Sequence, residues 1–95
     1  MIKGFKHKGL QGFFETGSTR GIQAAHENKL ALILDRLDAA ESPKDMDLPG
    51  FRLHQWKGRK KSEPDKWSVD VSGNWRVTYE FVDGDAYVVD YSDPH

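Results

Sequence analysis

Ninety-five residues suffice for one domain around one core and leave no room for a catalytic domain beside a separate binding domain. The chain has no cysteine, which excludes disulfides, thiolate metal sites and a cysteine nucleophile and suits a reducing cytoplasm. With 14 Lys and Arg against 15 Asp and Glu the formal net charge is −1, so any case for a polyanionic partner has to come from where the charges lie.

Met1 to Lys6 lacks a secretory apolar segment, and no apolar run approaches the roughly 20 residues that cross a bilayer, so no membrane partner is expected. The same stretch alternates apolar and basic residues weakly and predicts a short first strand. From His7 to Glu15, Leu10, Phe13 and Phe14 fall at helical spacing, and Gly17 supplies a stop. Ile22 to Ala40 is the strongest helical segment: Leu30, Ile33, Leu34 and Leu37 form one apolar stripe, while Glu27, Lys29, Asp35 and Arg36 lie off it. It ends near Ser42-Pro43, because the residue before a proline disfavours helix. Lys44 to Gly50 reads as a loop.

Beyond Gly50 the apolar period changes to two. Phe51 and Leu53 alternate with Arg52 and His54, Trp67, Val69 and Val71 with Ser68 and Asp70, and Val77, Tyr79 and Phe81 with Arg76, Thr78 and Glu80. Ser72-Gly73-Asn74 and Asp83-Gly84 carry tight-turn chemistry between strands. The last strand, Ala86 to Tyr91, is apolar on both parities, which suggests a more buried place in the sheet. The expected fold class is α+β, a single domain over residues 1–95 with two N-terminal helices packed on a mostly antiparallel sheet. The helices cover the face bearing Phe51, Leu53, Val69, Val71, Val77 and Phe81. The other face carries Arg52, His54, Ser68, Asp70, Arg76, Thr78 and Glu80, beside a basic loop with Lys57, Arg59, Lys60, Lys61 and Lys66.

That face has the residue types for cleaving RNA without a metal or other cofactor. The reaction needs a base for the 2′-hydroxyl proton, an acid for the leaving 5′-oxygen and cations for the charged phosphorane. His54 suits either proton-transfer role, Arg76 offers a planar fork to phosphate oxygens, Lys57 stands at a strand–loop junction, and Asp93 and His95 end the sequence. Arg52, Arg59, Lys60 and Lys61 are candidates for holding RNA. Each has a plain structural alternative: His54 as a solvated strand histidine, Arg76 as a cross-strand partner of Glu80 or Asp70, and the basic run as a solvated loop. Trp56, Trp67 and Trp75 read as core or edge packing ahead of base-stacking platforms. His7 and His26 receive no role. His54, His95 and the scattered aspartates show no metal-ligand spacing.

Several stretches together carry a resemblance: Ile2-Lys3-Gly4-Phe5-Lys6-His7-Lys8-Gly9-Leu10, Leu48-Pro49-Gly50-Phe51-Arg52-Leu53-His54, Lys57-Gly58 and Trp67-Ser68-Val69. They are followed by Gly73-Asn74-Trp75-Arg76-Val77-Thr78-Tyr79 and Asp83-Gly84-Asp85-Ala86-Tyr87-Val88-Val89-Asp90-Tyr91. In this order they resemble the HigB plasmid-maintenance killer family of the RelE superfamily, nearly end to end. The resemblance implies a RelE-like fold related to microbial ribonucleases and a cytoplasmic toxin that cuts messenger RNA on the ribosome. It also implies a HigA-type antitoxin with a helix-turn-helix domain, through which alone operator DNA would be met. Carried over by position, His54 would transfer protons, Lys57 and Arg76 would stabilise the scissile phosphate, and Asp93 and His95 would belong to the catalytic C-terminal segment. Family chains typically end Asp-Tyr-His, whereas this one ends Asp93-Pro94-His95, and Pro94 has neither a hydroxyl to donate nor a ring to stack. Tyr91 is the conceivable substitute. The same departure motivates a second reading, a catalytically weakened relative that acts mainly as an antitoxin-binding co-repressor. A general RNA-binding domain is the third, without an RNP, KH or OB signature.

Overall fold

The structure is a computed structural model that describes residues 1–57 and 62–93. Helix α1 spans Lys8–Thr16 and is delimited by its caps: His7 Nδ1 accepts the Leu10 N–H at 2.9 Å, and Gly17 adopts a left-handed φ of 80° while its N–H reaches the Phe13 carbonyl at 2.9 Å. Gly9 on this helix meets Gly21 backbone to backbone, so closely that a Cβ on Gly9 would lie 2.6 Å from the Gly21 Cα. The second helix is shorter than its apolar period suggested. Ala24–His26 form a separate 3-10 turn, and α2 runs Glu27–Ala39 before Ala40 turns extended ahead of Pro43. All four residues of its stripe, Leu30, Ile33, Leu34 and Leu37, are buried. Pro43–Met46, expected as loop, form another 3-10 turn that inserts Met46 into the core.

The sheet is a four-stranded antiparallel meander of β1 (His54–Trp56), β2 (Lys66–Ser72), β3 (Trp75–Val82) and β4 (Asp85–Ser92), in that spatial order. Asp83 and Gly84 join β3 to β4 with φ of 51° and 84°, the two positive angles of the hairpin turn that Asp-Gly favours. The first strand starts three residues later than its alternation predicts, because Gly50 and Arg52 both have positive φ (83° and 50°) and break the extended run. Lys29 of α2 holds this break in place: its Nζ donates to the Gly50 carbonyl at 3.0 Å and lies 5.0 Å from the centre of the buried Phe51 ring.

β4 and the N-terminal segment correct two further expectations. The register between β3 and β4 shifts by one residue between Thr78 and Glu80, at a bulge where Val88 has a φ of 54°. The bulge, and not burial on both faces, accounts for apolar residues on both parities. Ala86, Val89 and Tyr91 all reach the core, while Tyr87 and Val88 are exposed. Ile2 and Phe5 pair with Ala86 and Val89 in parallel, as isolated bridges and not as a continuous strand, because the left-handed Val88 interrupts the ladder between them. The core lies between α1, α2 and one face of the sheet, with Tyr79 fully buried at its centre.

Two substitutions on α1 separate helix propensity from close packing. Gly12→Ala has open space around the new methyl and should stabilise by about 0.5–1 kcal/mol, whereas Gly9→Ala must push backbone from backbone and should cost about 1–3 kcal/mol, both read from urea unfolding. Burial pushes the Tyr79 phenol well above its ordinary range. Because the folded pKa exceeds the unfolded value of about 10, the stabilisation is complete below pH 10 and is lost as pH climbs above it. Alkaline unfolding should therefore begin above about pH 10 and be attenuated in Tyr79→Phe, whose neutral-pH stability should fall little because the hydroxyl has no partner among the described residues.

Candidate active site on the open sheet face

Antiparallel register sorts the side chains of the uncovered face into three rows. His54 lies opposite Ser68, Ser68 opposite Thr78 and Thr78 opposite Asp90, so one row crosses all four strands. On one side of it lie Asp70, Arg76 and Ser92, and on the other Trp56, Lys66, Glu80 and Tyr87. His54 and Arg76 are therefore on the same face, two strands and one row apart, a backbone separation of roughly 12 Å that their side chains can bridge through a substrate between them.

Asp70 organises the cationic end. The Nε of Arg76, its direct cross-strand neighbour, lies 3.7 Å from Oδ1, and the Nε of Arg52 approaches Oδ2 at 3.5 Å from the segment preceding β1. The Arg76 contact is an ion pair without a hydrogen bond, since neither Arg76 Nε nor Asp70 Oδ1 has a hydrogen-bond partner among the described residues. The cross-strand role foreseen for Arg76 is thus present with Asp70 and not with Glu80. It orients the guanidinium on the floor of the face without saturating it. Arg52 is exposed along most of its side chain, held there by the left-handed backbone that ends its strand early.

A hollow of about 370 Å³ opens beside Arg76, lined by Trp56, Lys66, Ser68, Arg76 and Thr78. The indole of Trp56 forms its wall: Nε1 donates to Ser68 Oγ at 3.2 Å, and the ring lies 6.2 Å from His54 and is half exposed. Core or edge packing was the role expected of Trp56, and of the two the structure shows the edge: residues 54 and 56 share a parity, so whatever faces His54 towards water faces Trp56 the same way. Lys66, Ser68 and Thr78 join the site by the same rule. That signal was available in the period of two.

Of the other expected site residues, Lys57 is exposed at the end of β1 and is not among those lining the hollow. Asp93 is partly buried and follows Ser92, which pairs with Arg76, so the C-terminal segment arrives at the Arg76 end of the face. Arg59, Lys60, Lys61 and His95 lie outside the described residues. Tyr91 is excluded as a stand-in for the missing tyrosine because it points into the opposite, helix-covered side. Its hydroxyl shares a hydrogen bond of 2.6 Å with His26 Nδ1, accepts the Gln23 N–H at 3.4 Å, and its ring lies 4.7 Å from Trp75. Burial raises the Tyr91 pKa against the smaller opposite pull of that N–H. His7 and His26, given no role from sequence, are structural, the first as a helix cap and the second as Tyr91's partner.

No group of three or more His, Cys, Asp or Glu side chains among the described residues could hold a metal ion, and no described helix is long and apolar enough to cross a membrane. The face presents a histidine at an edge, an unsaturated arginine on a middle strand and a nucleotide-sized hollow with lysine and tryptophan at its rim.

Comparison with known proteins agrees with this architecture. The family described as RelE-like toxin of type II toxin-antitoxin system HigB matches residues 3–95. The chain is similar to a Proteus vulgaris protein named Endoribonuclease HigB, 39% identical over 95 residues and the full length of both chains. It is also similar to Toxin HigB-1 of Vibrio cholerae serotype O1, 36% identical over 98 residues, covering 100% of this chain and 98% of the relative. A type II toxin has an antitoxin as its counterpart. On a family match that takes in nearly every residue and two relatives aligned over essentially their whole length, the chain belongs to the RelE-like HigB toxin family of type II toxin–antitoxin systems.

Proposed function

We propose that this toxin is a metal-independent endoribonuclease that cleaves messenger RNA on the ribosome in the cytoplasm and is neutralised by a HigA-type helix-turn-helix antitoxin, through which alone it meets operator DNA. The observation that carries the reading is the placing of His54 and Arg76 on one open sheet face beside a nucleotide-sized hollow, in a family one of whose members is named an endoribonuclease.

In this reading a base on the face takes the proton of a 2′-hydroxyl, whose oxygen attacks the adjacent phosphorus. The P–O5′ bond breaks, leaving a 2′,3′-cyclic phosphate, and an acid delivers a proton to the departing 5′-oxygen. His54 fills one proton-transfer role from the edge strand and His95 the other from the C-terminal segment to which Asp93 belongs. Arg76, paired with Asp70 but not hydrogen-bonded through Nε, turns its fork to the phosphate oxygens as negative charge builds there, and Lys57 adds a second cation at the strand end. Arg52, Arg59, Lys60 and Lys61 hold the flanking backbone. A chain of net charge −1 gathers RNA weakly by itself, and the ribosome supplies the orientation the small face lacks.

The C-terminal Asp93-Pro94-His95 favours a second reading alongside, a toxin weakened in catalysis that serves mainly as an antitoxin-binding co-repressor. Both are tested by adding the purified protein to a cell-free translation reaction and mapping new 5′ ends on the message. Arg76→Ala should slow cleavage about 10²–10³-fold and His54→Ala about 10²–10⁴-fold, with cuts dependent on ribosomes, and Pro94→Tyr should raise the rate. Tight antitoxin binding without any cuts by the wild type would leave the co-repressor.

A further inference from the structure

Trp56 is the one tryptophan whose placement the fold does not require. Trp67 packs against the core from the covered face, and Trp75 is locked among His26 and Tyr91 with ring centres 5.5 and 4.7 Å away. Trp56 instead stands half exposed on the open face, between His54 and Lys66. It is not loose there. Its Nε1–H is tied to Ser68 Oγ, and Ser68 is itself fully buried beneath it, so the plane of the indole is set before any ligand arrives.

Resting on the nuclease reading, we propose that Trp56 is the stacking platform for one unpaired base of the RNA substrate, and that the hollow between Trp56 and Arg76 holds that nucleotide. Three observations combine. The hollow, about 370 Å³, falls at the small end of the range of ligand pockets, which suits one nucleotide and not a helix or a duplex. Its lining joins an aromatic wall to two cations, Lys66 and Arg76, with the hydroxyl-bearing Ser68 and Thr78 between, the pairing of stacking surface and phosphate charge by which proteins hold single-stranded nucleic acid. The rings of His54 and Trp56 lie 6.2 Å apart, so a base stacked on the indole has its own ribose and phosphate delivered to the span between His54 and Arg76. Trp56 thereby sets the register of the strand relative to the proton-transfer groups. It acts as a positioning residue and performs no proton transfer itself. Stacking accepts every base because every base has a π-face, so Trp56 fixes where the strand sits more than which base it carries.

The test uses the full-length protein and a short single-stranded RNA that is 2′-O-methylated throughout and so cannot be cleaved. In titrations followed by ¹⁵N-resolved NMR of the three indole N–H signals, the Trp56 signal should move while those of Trp67 and Trp75 stay. Trp56→Ala should weaken the dissociation constant about 5- to 150-fold, and Trp56→Phe, which keeps a ring, only a few-fold. In cell-free translation, Trp56→Ala should raise KM or scatter the cut positions while leaving the pH dependence of kcat in place. Unchanged affinity in Trp56→Ala, a stationary Trp56 signal, or no binding of the RNA by the wild type would overturn the proposal. Trp56→Ala that keeps RNA affinity but loses affinity for the antitoxin would overturn it in favour of a protein interface. Ribosome-dependent cuts that need Arg76 but not Trp56 would sink the stacking role alone, whereas no cuts in the wild type would sink the nuclease reading itself.

Discussion

One-sided burial of a twisted antiparallel sheet is the constraint on which the rest depends. The apolar stripe of α2, with Leu30, Ile33, Leu34 and Leu37, is buried together with one face of β2, β3 and β4. Each of these side chains contributes about 1.5–3 kcal/mol by leaving water, so a slip of one residue in any strand would forfeit several of them at once. The register is therefore held from the core side, and the open face inherits it. His54, Ser68, Thr78 and Asp90 stand in a row because Val69, Val77 and Tyr91 on the same strands could not be moved.

Two local distortions adjust that scheme where regularity would spoil it. At Val88 a β-branched residue takes a left-handed φ, a conformation costing on the order of 1–3 kcal/mol, and in return Ala86 and Val89, three residues apart, both reach the core. Without the bulge one of them would face water. At Arg52 a second left-handed residue ends the extended chain early and leaves β1 only three residues long. A short, exposed edge strand resists pairing with other chains while still carrying His54 and Trp56 on one face.

Charge on the open face is arranged locally, in a molecule whose overall balance is nearly neutral. Asp70 sits between Arg52 and Arg76 at ion-pair distance from both, so two guanidinium groups share one carboxylate and a net positive charge is left over at that end. Partial neutralisation keeps Arg76 in place on the open face. An isolated arginine on a half-buried strand would be costly to hold there, and the contact with Asp70 offsets part of that cost.

The sequence by itself determined the two periods, helical to Ala40 and twofold after Gly50, and with them the α+β class, the two helices, the hairpin at Asp83-Gly84 and the parity that sends His54 and Arg76 to the same side. Those are local properties, set by neighbouring residues and read within a window of a few positions. Its motifs also carried the family resemblance, although they assigned Tyr91 a conceivable catalytic place that its burial against His26 denies. Only the tertiary structure decided the bulge at Val88, the early break at Arg52, the separation of Ala24–His26 from α2 and the fate of Tyr91. Each of these depends on what packs across the core or along a neighbouring strand, a relation between residues distant in sequence that no local period encodes.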